Sequence, residues 1–498
     1  MSILPNLTSL PEYRHGAYGV WNAVINRNAG LANGAVIYIG TAPVNTVAGG
    51  AENVNKPIAV HSIAEARRYF GYSDNWADFT LCEPMYRHLV KKGVGPIILI
   101  NVLDPVKHKT ASSATKTLTP INGRAVFTDA QNVILDSVTV AGKTKGTDYA
   151  LSYNENSMSI TIYELVSGAL GTTALTVTYD SIDPASVSVA DIIGETDDLG
   201  TNTGAYALKN VYSVTGYIPA YVGCPGFSSV PQVNRALLEI CRKINSHWDA
   251  WLFADMPLLD STGTGINLQT AATWKTANGY TDEAETVCFP MVTATDGRHY
   301  HLSVVRAANF QELLYKYDGI PYHSASNTGA EDIANLWFGE GEDEKVYDDY
   351  IINERLNKHG ITSAAYLGGS WVIWGASAAD YNQDDKDEIN VAETNRMMLF
   401  YVSNDFQHRR CRDVDKPLTP NDVATLVAEE QQRLDALVHM GALTYGLAYM
   451  NSDYIAKSDM RSGDYTFTFD VTTTPLAKSL TAVVNWVDTG FETYFDVE

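Results

Sequence analysis

Cysteine is scarce in this chain of 498 residues: Cys82, Cys224, Cys241, Cys288 and Cys411 are odd in number, dispersed, and form no Cys-x-x-Cys pair. That spacing argues against a disulfide framework or a structural zinc site, and predicts reduced, mostly buried thiols made in a cytoplasm. Positive charge is also in short supply. Lys and Arg number 35 against 58 Asp and Glu, a net charge of −23, whereas direct nucleic-acid binding calls for a basic footprint. No apolar run approaches the roughly 18 residues of a membrane span, and Met1-Ser-Ile-Leu-Pro-Asn lacks the basic and apolar regions of a secretory signal. The acidic balance reads first as solubility; delayed self-association or a basic partner is the sharper reading.

Catalytic signatures are missing as well. The chain has no Walker A loop, Gly-x-Ser-x-Gly elbow or His-Glu-x-x-His, and Gly263-Thr-Gly265 lacks both a Lys-Ser/Thr end and a preceding strand. His299-Tyr-His301 would share a strand face, yet no third ligand lies nearby, so both read as structural histidines. Asp380-Tyr-Asn382-Gln-Asp384 opens like a calcium loop, but Asp385 stands where Gly is needed and Val391 where a bidentate Glu is needed. The expectation is no enzyme, no cofactor and no metal.

What is present is an ordered series of elements. An apolar fraction of 45% with 19% charged residues describes a globular chain, and its length predicts about two to four domains. Gly34–Pro43 reads as a strand ending at Gly40. Lys56–Val60 leads into a helix from Ser62 to Gly71, with Ser62 and Glu65 as a capping box. Leu81–Lys92 reads as helix, Gly93-Val-Gly95 as turn, and Pro96–Leu103 as a fully buried strand. Composition shifts at Asp104-Pro105: residues 107–199 become Ser/Thr-rich with period-two alternation, as at Met158, Ile160 and Ile162, which predicts an all-β insertion. Helical spacing returns at Pro231–Ile244, followed by a strand at Trp248–Phe253. A helix is expected from Lys345 to Lys358, burying Val346, Tyr350, Ile351 and Leu356. His359-Gly360 forms a helix stop, and Ile361–Gly375 reads as two strands broken at Gly368-Gly369.

Leu356-Asn-x-x-Gly360-Ile361 followed by Trp371-x-Ile-Trp-Gly-Ala376 is similar to the core of contractile tail sheath proteins of myophages, phage-tail-like bacteriocins and related injection systems. The order of the earlier elements, Asn395–Tyr401 and the helix from Asn421 to Met440 extend the resemblance over residues 1–106 and 210–498. The resemblance implies an α+β multidomain chain: a mixed α/β sheath core with an inserted all-β domain and extended N- and C-terminal arms. The segments are a 1–33 arm, core at 34–106 and 200–345, the outer insertion 107–199, a tube-facing C-terminal domain 346–477, and a 478–498 strand arm.

The termini are the implied joints. Residues 2–33 are broken by Pro and Gly yet carry Tyr13, Tyr18, Val20, Trp21 and Val24. Tyr465–Val471 alternates as a half-buried strand, Ser479–Val487 reads as a second strand with Leu480, Val483, Val484 and Trp486, and Phe491–Phe495, with Tyr494, as a last extended piece. Free apolar termini are an aggregation hazard, and in the family they add strands to a neighbour's C-terminal-domain sheet. In the 421–440 helix, Val423, Leu426, Val427, Leu434, Leu437 and Val438 line one face, and Glu429, Glu430, Gln431, Gln432 and Arg433 the other. The family's helix lies near the inner tube, so Glu429, Glu430 and Arg433 are candidate contacts, beside the reading of a solvated face. Arg409, Arg410 and Arg412 either pair with Asp413 and Asp415 or bridge to an acidic neighbouring subunit. The implied partners are further copies in a helical array of stacked hexameric rings, an inner tail tube, and baseplate and tail terminator proteins. The implied location is a virion tail or headless particle assembled in the bacterial host cytoplasm. A glycoside hydrolase or carbohydrate-binding protein and a capsid-like or surface-layer shell protein are the competing readings.

Overall fold

A computed structural model describes residues 33–341, 345–384, 389–451 and 461–494. The chain divides into two compact units, up to Asp415 and from Lys416. In chain order the first unit opens with β1 (Val36–Gly40), β2 (Ile58–Val60), α1 (Ile63–Phe70), α2 (Cys82–Tyr86) and β3 (Ile97–Asn101). The strands β4 (Ala114–Leu118), β5 (Arg124–Phe127), β6 (Thr139–Val140), β7 (Tyr149–Asn154), β8 (Ser159–Glu164) and β9 (Leu175–Tyr179) follow. Then come α3 (Val189–Ile193), α4 (Val211–Thr215), β10 (Tyr221–Gly223), α5 (Pro231–Cys241), β11 (Trp251–Asp255), α6 (Ala271–Ala277) and β12 (Glu285–Cys288). The unit closes with β13 (Met291–Ala294), β14 (His299–Tyr300), α7 (Leu302–Lys316), β15 (Ile333–Trp337), α8 (Asp349–Arg355), β16 (Ile361–Leu367), β17 (Ser370–Trp374) and α9 (Glu393–Arg410).

The centre is an eight-stranded sheet in the order β17-β16-β12-β11-β10-β1-β3-β2. The six inner strands run parallel, and antiparallel β17 and β2 close the two sides. Every residue of β1, β3 and β11 is buried. Apolar side chains on both faces of a strand, as in Val36-Ile-Tyr-Ile, require cover on both faces. The two-residue Gly368-Gly369 turn takes positive φ at both positions (64° and 89°), the backbone that joins two antiparallel strands with the correct twist.

Residues 114–179 form two three-stranded antiparallel sheets, β4-β9-β6 and β5-β8-β7, around a hydrophobic cluster that includes Phe127, Tyr149, Ile160, Ile162 and Val177. The outgoing and returning strands are tied together by Thr110 N–H to Ser181 O (2.8 Å) and Asp183 N–H to His108 O (2.9 Å). Asn45 Nδ2 donates to the carbonyls of Gln131 (2.9 Å) and Val133 (3.0 Å), so this layer is held against β1's end of the core.

Several local expectations differ. Ser62 caps α1 through Glu65 N–H, but Glu65 reaches back to the N–H of His61 rather than Ser62. The helix expected from Leu81 to Lys92 is α2 followed by a π-helical turn, Arg87–Lys92, which turns Arg87 and His88 inward. The helix expected from Lys345 starts later because Asp348 is its N-cap, accepting from Ile351 N–H. Its buried face is therefore Ile352 and Leu356, while Val346 and Tyr350 are exposed. The boundary expected at 346 lies at Asp415/Lys416 instead, because β16 and β17 complete the large sheet.

The second unit contains α10 (Pro420–His439), which packs on β18 (Leu443–Tyr449), paired antiparallel with β19 (Thr468–Thr473). Thr419 and Asp422 form a reciprocal capping box at the start of α10. Gly446 is where helix and strand meet: a Cβ there would lie 2.9 Å from Leu434 Cβ. Ser479–Val487, expected as a strand, has no regular structure and no strand partner among the described residues, and the piece at 491 belongs to a 3-10 turn, Thr489–Tyr494.

Candidate self-assembly surface

In an open parallel sheet the natural ligand crevice lies beyond the strand ends where the winding direction reverses. Here that point is between β1 and β10, and it is filled. Thr41 N–H donates to Thr80 Oγ1 (3.2 Å), Thr80 N–H returns to Thr41 Oγ1 (3.1 Å), and Leu81 N–H donates to Thr41 O (2.9 Å). The Thr80 methyl also sits where a Cβ on Gly226 would be, at 3.0 Å. The loop carrying Asp78 to Leu81 thus plugs the crevice with main-chain and hydroxyl bonds.

Charged side chains inside the first unit act as internal clamps. Arg306 and Glu393 are both buried and pair directly, with Glu393 also accepting from Thr286 Oγ1 (2.9 Å) and Ser324 Oγ (2.8 Å). Arg306 Nη1 donates to Gly375 O (2.9 Å), so one guanidinium joins α7, α9 and the end of β17. His301 faces Glu83 (2.6 Å), and Asp255 accepts from Ser303 N–H (3.0 Å) and Oγ (2.5 Å). Burial alone would lower the His301 pKa, but the Glu83 and Asp255 carboxylates outweigh it and raise it to about 9. Lys275, lowered to about 8 by burial, gives its protons to the carbonyls of His359 (2.9 Å) and Ala379 (2.5 Å). These groups are spent on one another. A buried charge left without a partner costs several kcal/mol, roughly.

The structure separates the two candidate histidines: His299 stacks on Trp337 and contacts Thr293 Oγ1, whereas His301 caps α7 and contacts Glu83. Asp380 faces Arg396 at 3.8 Å. In the basic cluster, Arg409 pairs with Asp405 (3.0 Å), not Asp415, and Arg410 with Asp413 (3.2 Å); Arg412 is exposed. On α10, Glu429 is exposed and Arg433 half-buried, but Glu430 is 2% exposed. Helical spacing explains this: Glu430 stands four residues before Leu434, on the sheet-facing stripe. It is withdrawn from the set of exposed contacts.

Strand edges decide where another chain can pair. The outer edge of β17 is closed by residues 327–330, through Asn327 N–H to Ile373 O (2.7 Å), Ile373 N–H to Thr328 O (3.1 Å) and Ala330 N–H to Trp371 O (2.9 Å). In the second unit, the outer edge of β18 meets Gln431, a residue the sequence placed on the polar face. Downstream, Leu480, Val483, Val484, Trp486 and Val487 are all exposed, Leu480 and Val484 at 90% and Trp486 at 80%. Phe491 is exposed as well. These residues form a dense exposed apolar set. Tyr13, Tyr18, Val20, Trp21, Val24 and Phe495 lie outside the described residues, as does the side chain of Tyr494.

The described residues thus combine a mixed α/β core whose crevice is plugged with an exposed apolar segment after β19. No family model matches the chain. Over 94% of its length it is 26% identical to the tail sheath protein of Burkholderia phage BcepMu, covering 96% of that protein. It is 22% identical to the tail sheath protein of Escherichia phage P2 over 75% of this chain and 87% of that one. A chain of the six-fold symmetrised anti-feeding prophage baseplate shares the fold, with a TM-score of 0.54 at 11% identity, over 95% of this chain and 99% of that chain. A chain of the contracted anti-feeding prophage helical sheath does so with a TM-score of 0.51 at 12% identity, over 95% and 100%. The resemblance to contractile tail sheath proteins is thus carried by nearly the whole chain, and the sheath-subunit reading stands over the hydrolase and shell readings.

Proposed function

We propose that this chain is the structural subunit of a contractile tail sheath, polymerising helically around an inner tube and contracting to drive that tube through a bacterial envelope. Its role is mechanical rather than catalytic. The observation that carries the reading is the exposed apolar segment Leu480–Val487, which has strand-forming composition and no strand partner among the described residues. Lent to a second copy, it would extend the β18–β19 sheet by β-augmentation: main-chain bonds give affinity and alternate side chains give register. Residues 1–33 are proposed as the matching N-terminal arm.

The remaining parts follow from this. The two sheets of residues 114–179 form the outer β insertion, while α3, which the all-β expectation for 107–199 did not include, packs with the main core; the second unit faces the tube. Glu429, Arg433 and Arg412 are the proposed tube or subunit contacts. Arg409 and Arg410 are proposed in the same role, in exchange for their local pairs. The six-fold symmetry named for the anti-feeding prophage baseplate supports stacked hexameric rings, ending at baseplate and terminator proteins. Assembly takes place in the host cytoplasm and the product is a virion tail or tail-like particle. Contraction requires two packings of the subunits that differ by on the order of a few kcal/mol each.

Negative-stain microscopy of the purified chain tests the reading. The full chain should form striated hollow rods, and deletion of residues 2–20 or 485–498 should leave folded, unpolymerised protein. Regular tubes from the truncated chains would refute the joint assignment.

A further inference from the structure

Leu199 is 92% exposed at the tip of a tightly built loop. Asp197 Oδ1 accepts from the N–H groups of Leu199 (2.9 Å) and Thr201 (2.7 Å), and Asp197 N–H donates to Thr201 O (3.0 Å). Gly200, with a φ of 81°, makes the turn. Thr203 N–H donates to Glu195 O (2.9 Å) and Thr196 Oγ1 to Asn202 Oδ1 (2.6 Å), which closes the base of the loop. A side chain already held out by such bonds has less freedom to lose when a partner covers it. Glu195 and Asp198 stand beside it in the chain; both are exposed, and neither forms an ion pair among the described residues.

A cleft of about 480 Å³ elsewhere in the same unit has the opposite character. Ile266, Leu268, Phe338 and Ile351 give it apolar walls, and the charged residues among its described lining are Lys345 and Arg355. Both cations are exposed, and neither has an ion pair among the described residues. In a chain of net charge −23, two unpaired cations at an apolar cleft select an apolar group with acid beside it. Leu199 cannot reach this cleft in its own chain. Gly204 N–H donates to Asn55 Oδ1 (2.8 Å) and Asn55 N–H to Asn101 O (2.8 Å), which fixes the loop beside the end of β3. Ile351 and Arg355 lie on α8, which packs on β16. From β16 to β3 is five strand spacings in the large sheet, about 24 Å.

We propose that Leu199 is a knob whose socket is this cleft in a second copy of the chain, with Glu195 and Asp198 of the knob meeting Lys345 and Arg355 of the socket. Knob and socket are different surfaces of one chain, so the contact is heterologous. Each copy offers one of each, and repetition builds a ring where the rotation closes and an open helical row where it does not. The apolar insertion supplies affinity, and the charges set which way round the copies meet. This rests on the self-assembly reading above and is independent of strand exchange by the termini.

Assembly of full-length variants tests it. Leu199→Ala should raise the critical concentration for tube formation about thirty-fold and leave the melting temperature of the unassembled chain in place. Lys345→Glu with Arg355→Glu should raise it about ten-fold, and so should Glu195→Lys with Asp198→Lys. These two pairs move the net charge in opposite directions, so a general charge effect would weaken one and strengthen the other. All four changes together should restore assembly. In a Cys411→Ser background, copies carrying Asp198→Cys and copies carrying Gln269→Cys, an exposed position lining the cleft, should cross-link in tubes, which requires Cβ atoms within about 4.5 Å. An unchanged critical concentration for Leu199→Ala, four reversals that restore nothing, or tubes that form without the 198–269 cross-link overturn the knob and socket alone. A native chain that forms no tubes overturns the self-assembly reading, and the proposal with it.

Discussion

Trp486 offers a clean separation of folding from assembly. Its side chain is 80% exposed, and its ring contact within the chain is with Phe491, centroids 6.4 Å apart. Replacing it with Ala should therefore change the stability of the unassembled chain by less than about 0.5 kcal/mol, as for other surface positions. In the assembled state the indole would be covered by a neighbour. Burying a large aromatic side chain is worth about 3 kcal/mol, and each added subunit makes one such joint. A loss of that size is roughly a hundred-fold in the association constant. Trp486→Ala should thus raise the critical concentration for tube formation about a hundred-fold while leaving the melting temperature of the unassembled protein in place. Sedimentation across a dilution series gives the first quantity and circular dichroism the second. An unchanged critical concentration refutes the joint; a lowered melting temperature refutes the claim that Trp486 does nothing within its own chain.

Two further outcomes follow from the interior clamps. Glu393→Gln strands the buried Arg306 guanidinium and should cost about 3–5 kcal/mol, whereas Arg306→Met with Glu393→Leu should recover most of it, measured by urea denaturation. His301 has a folded pKa of about 9 against 6.5, so its stabilisation is complete below pH 6.5 and lost as pH rises through 9. Burial raises Glu285 from 4.5 to about 8, with the same sign over a lower window, so its contribution falls between pH 4.5 and 8 and overlaps that of His301 only in part. Melting temperature should accordingly fall from pH 7 to pH 9.5, and Glu83→Gln should flatten the His301 share, about 3 kcal/mol; an identical slope in the variant would contradict the assignment.

Much of the architecture was legible because it follows from local periodicity. Continuous apolar runs at Val36–Gly40, Ile97–Asn101 and Trp251–Asp255 became buried parallel strands, and Gly368-Gly369 became a hairpin turn. Local signals failed where one residue reset the phase. Asp348 capped α8 and moved Val346 and Tyr350 to the surface. Ser479–Val487 has the composition of a strand, but a strand exists only with a partner, and the described residues supply none.

By itself, then, the sequence determined which segments are apolar enough to pair and which recurring catalytic motifs it does not contain, since both depend on residue type and spacing alone. Only the tertiary structure decided that Thr80 plugs the switch crevice, that Glu430 turns inward, and that Gln431 occupies an edge of β18. These are meetings of residues that local spacing along one element cannot set. They depend on how one element is rotated against another, and that is settled by packing of the whole.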